Sequence, residues 1–193
     1  MSDAQHDEVR QDTDLIDVIV KDHRAFEAVF VALERGGPDT EGRKDLVDHL
    51  IAELVRHSVA EEQFMYPAAK SRLEDGADIV AHEIEEHAEA DEVMKALEGL
   101  GPEDDRFEPL VERLIADVRH HLDEEERHLL PRLRAACDEE ELQFLGYKVL
   151  AAKEFAPTRP HPHAPHTPPG NLVLGPGVGF IDKIRDALAH RDV

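Results

Sequence analysis

Tryptophan is absent, and aromatic residues make up only 5% of the 193 residues. An interior so poor in rings has to be filled with aliphatic side chains, as in a helical bundle rather than a sandwich. Cysteine is scarcer still. Cys137 stands alone, which excludes an internal disulfide framework, a CxxC redox pair and a site held by clustered thiolates. Positive charge is also in short supply, since 22 Lys and Arg against 44 Asp and Glu leave a formal charge of −22 at pH 7. A surface of that sign repels phosphate backbones and anionic lipids, so neither nucleic acid nor a membrane is expected as a partner. No apolar run approaches the length of a membrane span, and the start of the chain lacks the basic and apolar blocks of a secretory signal. A cytoplasmic protein is the expectation. With 41% hydrophobic and 34% charged residues, the chain has the balance of a soluble globular domain with extras.

What is present is one phrase written twice. His57-x-x-x-Glu61-Glu62 is followed by Pro67, and 64 residues later His121-x-x-x-Glu125-Glu126 is followed by Pro131. His23 precedes the first phrase and His87 the second, each by 34 residues. On a helix, residues four apart stack on one face, so each HxxxE pair aims an imidazole and a carboxylate at the same point.

The apolar period supports helices throughout. Ile16, Ile19, His23, Phe26, Phe30 and Leu33 form a first stripe, stopped at Gly36-Gly37-Pro38. A second stripe carries Leu46, Leu50, Leu54, His57, Glu61, Phe64 and Ala68 and ends near Pro67 and the Glu74-Asp75-Gly76 turn. Val80, Glu83, His87, Ala90, Met94 and Leu97 make a third, closed by Gly99 and Gly101-Pro102. Leu110, Leu114, Val118, His121, Glu125 and Leu129 make a fourth, which runs to Pro131 and an Arg-rich turn. The fold class expected is all-α: an up-down-up-down four-helix bundle over residues 13–135. Residues 138–193 read as an extension. In it, Asp138 and Glu141 form a capping box that opens a fifth helix through about Phe155. A Pro- and His-rich strap then spans 156–177, and Phe180, Ile181, Ile184 and Leu188 suggest a short terminal helix docked on the bundle.

The candidate ligands all lie on apolar stripes. Burying four imidazoles and two carboxylates at one level costs several kcal/mol per unpaired charge, and no Lys or Arg shares those stripes at that level. A pair of dipositive ions would neutralise them. Imidazole with carboxylate and no thiolate suits iron, zinc or manganese. Split symmetrically, His23 and His57 would hold one ion and His87 and His121 the other, with Glu61 and Glu125 free to bridge across a pseudo-twofold axis. Glu62 and Glu126 fall about 100° round their helices and are read as water-facing. Asp22 and Glu86, each just before a ligand, either support the site or face water.

These residues resemble the hemerythrin-like family of cation-binding domains, whose repeated hairpin carries one His and then HxxxE with a second acid and a proline. The resemblance covers residues 13–135. It implies two non-haem iron ions with an oxo or hydroxo bridge and carboxylate bridges. His23, His57, His87 and His121 would be terminal ligands and Glu61 and Glu125 the bridging ones. The Pro- and His-rich tail resembles that of actinobacterial members. The oxygen-carrying members place a further His one turn before the third-helix ligand; here that position is Glu83, with His82 beside it. Glu83 is therefore a seventh candidate ligand, favouring the ferric state over reversible oxygen carriage. Without it, one ion keeps an open position for peroxide, oxygen or nitric oxide.

Lower in rank stand His49 and His120, expected to point outward or to support ligands, and His128, which could line the pocket. His161, His163 and His166 read as polar linker, and Tyr66 as packing at a helix end. The function implied by the resemblance is catalase-like or scavenging chemistry on peroxide or nitric oxide in oxidative stress, in a chain taken as a monomer. The alternative is a protein that binds or senses oxygen or iron without turnover. Iron donation for iron–sulfur repair is a third reading, suggested by relatives that carry an additional Cys-bearing N-terminal domain, and is not the one expected here.

Overall fold

The computed structural model describes residues 13–36 and 40–167, together with Asn171, Gly179, Asp182 and Asp186. Its architecture is all-α, a bundle of four antiparallel helical arms with a fifth helix laid outside. The first arm is α1 (Leu15–Glu34), opened by Asp14, whose carboxylate accepts from the Asp17 N–H at 3.0 Å. Gly36, at φ 94°, ends it in the left-handed conformation that a glycine adopts without cost, and its N–H donates to the Leu33 carbonyl. Gly37 and Pro38 of the expected stop signal lie outside the described residues.

The second arm starts as α2 (Thr40–Ala60), passes through a π-helical turn at Glu61–Met65 and continues as α3 (Tyr66–Arg72). The third is α4 (Gly76–Glu98). The fourth repeats the second: α5 (Phe107–Glu124), a π-helical turn at Glu125–Leu129, then α6 (Leu130–Ala136). These turns correct the expectation that Pro67 and Pro131 end their helices. A proline lacks an N–H and crowds the carbonyl four residues back, so it cannot extend an ordinary α-helical ladder. The wider turn loosens that ladder in the residues before the proline, and the Tyr66 and Leu130 N–H groups reach back five residues to Glu61 and Glu125. Helix therefore continues for most of two turns past each proline, through the Arg-rich segment expected to be a turn.

The fifth helix, α7 (Glu139–Phe155), opens as expected, with Asp138 accepting from the Glu141 N–H at 2.8 Å. It packs across α1 and α2 and touches the first π-helical turn. Beyond it residues 156–167 are irregular, and the strap is tied down by side chains. Arg159 pairs with Glu98 and with Asp186, His161 with Asp182, and Gln63 donates to the Asn171 carbonyl. The terminal helix expected at Phe180, Ile181, Ile184 and Leu188 lies outside the described residues.

Two separate apolar clusters make the core. One gathers Phe30, Leu33, Leu50, Leu97, Phe107 and Leu114. The other gathers Leu15, Ile19, Met65, Val80, Leu133 and Val149, with α7 contributing to it. Polar residues buried between the arms separate them.

Candidate metal centre

All six residues of the repeated phrase and its upstream histidines are buried: His23, His57, Glu61, His87, His121 and Glu125. Glu83 is buried with them. They fall into three overlapping groups whose ligand atoms lie within 4.8 Å of one another: His23, His57, Glu61 and Glu125; Glu61, His87 and His121; and Glu83, His121 and Glu125. The expected pairing of histidines is thus the spatial one.

The two glutamates divide their oxygens between the pairs. Glu61 sets Oε1 at 2.9 Å from His57 Nε2 and Oε2 at 3.5 Å from His87 Nε2. Glu125 sets Oε2 at 3.4 Å from His23 Nε2 and Oε1 at 3.8 Å from His121 Nε2. Each carboxylate therefore spans both halves.

Every imidazole turns its other nitrogen to a carboxylate. His23 Nδ1 meets Glu126 at 2.9 Å, His57 Nδ1 meets Asp22 at 3.1 Å, His87 Nδ1 meets Glu62 at 3.1 Å and His121 Nδ1 meets Glu86 at 2.9 Å. The arrangement keeps the offset of 64 residues, since Asp22 maps to Glu86 and Glu62 to Glu126. Glu62 and Glu126 are thereby corrected: they orient ligands rather than face water, Glu62 being buried and Glu126 three-quarters so. Of the two readings open for Asp22 and Glu86, the supporting one holds. The sequence signal for all four was their repetition.

The outer partners differ between the halves. Arg24 forks onto Glu126, and Lys153 of α7 reaches Asp22 at 2.6 Å. Glu62 is held by His166 of the strap at 3.0 Å, which lifts that histidine above the simple linker role expected of it. Among the described residues, Glu86 has His82 and His120 as its outer neighbours, at 3.7 and 3.9 Å. His49 and His128 are exposed, so the pocket-lining role expected for His128 is not found.

Tyr66, expected to be packing, is fully buried with its hydroxyl in the site. It donates to Glu125 Oε1 at 3.1 Å and stands 3.1 Å from His87 Nε2. Burial, then the charges of Glu125 and Glu61, push this phenol well above its ordinary range, so it carries its proton in the metal-free chain. No repeat could reveal it, because the matching position is Leu130.

The donor set fits a metal. A carboxylate only accepts, so each Nδ1 carries the hydrogen and a neutral ring leaves Nε2 as a bare lone pair. Yet His87 Nε2 and His121 Nε2 stand 3.1 Å apart. His23 Nε2, His57 Nε2, both Glu61 oxygens and Glu125 Oε2 are buried without a hydrogen-bond partner, while Glu83 Oε2 stands 3.1 Å from His121 Nδ1. Each such orphan costs about 1–3 kcal/mol, and cations at the common centre are what would satisfy them together. Without a cation, protons take that place. Burial opposes charge on His57, but Glu61 and Asp22 outweigh it and raise the ring to about 9; His121 is raised well above its ordinary value beside Glu125, Glu83 and Glu86. Burial, which lowers the two imidazoles, raises the Glu83 carboxyl.

A cavity of ≈ 250 Å³ reaches this plate between α2, α4 and α5. Leu54, Met94 and Leu122 line its apolar wall, and His57, His87 and His121 stand at its inner side.

A helical bundle whose imidazoles and carboxylates converge, stripped of partners, on one buried centre defines a metal-binding class of protein. Within that class the family is shown by comparison. The model of the hemerythrin HHE cation binding domain matches residues 14–133, and the chain belongs to that family. An uncharacterised hemerythrin-like protein of Schizosaccharomyces pombe is 32% identical over 178 residues, 91% of this chain and 87% of the relative. A DNA nickase of Nostoc is 24% identical over 144 residues, 75% of this chain, which spans only 40% of that protein. Among solved structures, a hemerythrin HHE cation-binding domain-containing protein from Mycobacterium kansasii shares the fold, with a TM-score of 0.63 and 23% identity over 73% of this chain and 85% of that one. Among the described residues no helix is long and apolar enough to cross a membrane.

Proposed function

We propose that the chain is a non-haem di-iron protein that handles peroxide or nitric oxide by catalase-like or scavenging redox chemistry. The observation that carries this reading is the division of the Glu61 and Glu125 oxygens between two histidine pairs, which suits two bridged ions better than one. His23 and His57 would hold one iron, and His87 and His121 the other, with Glu83 as a further oxygen donor beside His121. Two irons would supply Lewis acidity and one-electron redox steps. The protein's own contribution is positional. Asp22, Glu62, Glu86 and Glu126 fix the rings and their tautomers, and the cavity admits a molecule of a few atoms along an apolar wall. Tyr66 holds a phenolic proton in the centre and donates it in a hydrogen bond to Glu125, so it would be the residue placed to give or hold a proton there.

We place the protein in the cytoplasm, as a monomer, and give nucleic acid no part in its work: a charge of −22 argues against carrying over the nickase activity of the Nostoc relative. The actinobacterial kinship suggested by the tail belongs to the same proposal. The mycobacterial structure speaks for the fold alone, and the fungal match is too long to be confined to the bundle. Iron quantified per chain, with absorption spectra before and after peroxide, tests the whole. Two irons per chain and sustained oxygen release are expected. Reversible oxygenation of the ferrous form without turnover would turn the assignment to an oxygen-binding or sensing protein.

A further inference from the structure

The buried centre does not use all the histidines that the second repeat brings together. One residue back from Glu83, His87, His121 and Glu125 lie His82, Glu86, His120 and Glu124, again two His/Glu pairs with a spacing of four. A step of one residue turns a helix by about 100°, which carries this second set from the bundle interior to the seam between α4 and α5 at the surface. There the side chains converge. His82 Nε2 stands 3.3 Å from Glu124 Oε2 and 3.7 Å from Glu86 Oε1; His120 Nε2 stands 3.7 Å from Glu124 Oε1 and 3.9 Å from Glu86 Oε1. Donors around a tetrahedral ion with bonds of ~2.0–2.1 Å lie ~3.3 Å apart, so His82, Glu86 and Glu124 stand near closing distance, while the exposed His120 ring has to swing inward to join them. His82, Glu86 and Glu124 already have ligand atoms within 4.8 Å of one another.

Two further observations separate this set from ordinary surface charge. First, Glu86 and His120 line the same ≈ 250 Å³ cavity that ends at His57, His87 and His121. Second, Glu86 faces both ways: Oε1 belongs to the surface set, while Oε2 holds His121 Nδ1 at 2.9 Å. The first repeat has no equivalent, because the matching residues are Val18, Asp22, Arg56 and Ala60. His82 and His120 are 56% and 64% exposed, so an ion held there keeps water and exchanges readily. The chain's negative charge draws cations toward it.

We propose that His82, Glu86, His120 and Glu124 form a surface site for a divalent transition cation, and that it loads the buried centre through the adjoining cavity. This rests on the reading of the buried centre as a metal site. The ion is captured weakly from water and leaves the two exposed imidazoles. It then passes Glu86 and is taken by the denser donor set behind it. No oxidation step is needed.

The test uses the metal-free full-length protein with Zn²⁺, followed by Fe²⁺, in the wild type and in a His82→Ala, His120→Ala double variant. Both substitutions fall on exposed side chains outside the buried donor set. Wild type should bind two Zn²⁺ tightly and one weakly, and wild type whose buried centre is already filled should still take up one. The double variant should keep the tight pair, lose the weak equivalent, and fill the buried centre with Fe²⁺ several-fold more slowly to the same final content. A retained weak equivalent, or loading at the wild-type rate, overturns the proposal. Absence of the tight pair from wild type would instead sink the reading of the buried centre, which the same titration reports separately.

Discussion

Tyr66 breaks a symmetry that the rest of the buried centre keeps, since the residue 64 positions later is Leu130. One hydroxyl proton cannot serve both Glu125 Oε1 and His87 Nε2, each 3.1 Å away. Tyr66→Phe keeps the ring and deletes the oxygen. Iron content should stay near wild type, while the absorption spectrum of the loaded protein and its rate with peroxide should both change. Identical spectra and rates would show the hydroxyl to be a bystander. Glu83 tests the opposite half of the argument. Glu83→His swaps a buried carboxylate for an imidazole, so the loaded centre should hold its ferrous state longer and form a longer-lived oxygen adduct. An unchanged adduct lifetime in stopped-flow absorption would deny Glu83 a tuning part. At this scale the sequence was legible wherever it repeated: His23 and His87, His57 and His121, and Glu61 and Glu125 were all placed by spacing alone. For Glu62 and Glu126 the spacing points to water, about 100° round the helix, but in the bundle that direction leads to the neighbouring arm. Those oxygens meet His87 and His23 there.

The π-helical turns carry that lesson to the elements. Periodicity announced the arms, and Asp138 with Glu141 marked the start of α7 to the residue. Helix continuing past Pro67 and Pro131 was hidden, because a proline reads locally as a stop. The turns place Glu61 and Glu125 at their first residues, so the widened backbone and the site are one feature. The docking of α7 depends on Gly146. A Cβ there would meet the Thr13 carbonyl oxygen at 2.7 Å and Asp14 backbone carbon at 2.8 Å, atoms that cannot swing aside. Gly146→Ala should therefore cost about 1–3 kcal/mol in denaturant unfolding. Lys153, on the same helix, would be drawn away from Asp22 as well.

For the whole molecule, a plate of ionisable groups between two apolar clusters means that its stability is tied to what neutralises the plate. Metal binding energy is folding energy here, so chelation should lower the melting temperature of the wild type. His57→Ala, deprived of metal already, should melt lower at the outset and respond little to chelator. Protons also act on the molecule beside the donor set. Asp91, partly buried on α4 between the arms and the strap, has its carboxyl raised to about 6 by burial, with Glu62 adding to the effect and His166, His87 and His161 opposing it. Its folded value exceeds the ordinary 3.8, so the folded chain holds that proton more tightly than the unfolded one. The resulting stability is complete below pH 3.8 and is lost as pH rises through about 6. Asp91→Asn removes the ionisation altogether. The variant should match wild type near pH 3.5 and exceed it at pH 7.5 by at most about 3 kcal/mol, the limit set by a shift of roughly two pH units. Urea titrations of the metal-free chains at both pH values measure the difference. An equal gain at both would trace the effect to packing against the strap, and a loss at pH 7.5 would mean that the carboxylate is stabilised by the histidines facing it.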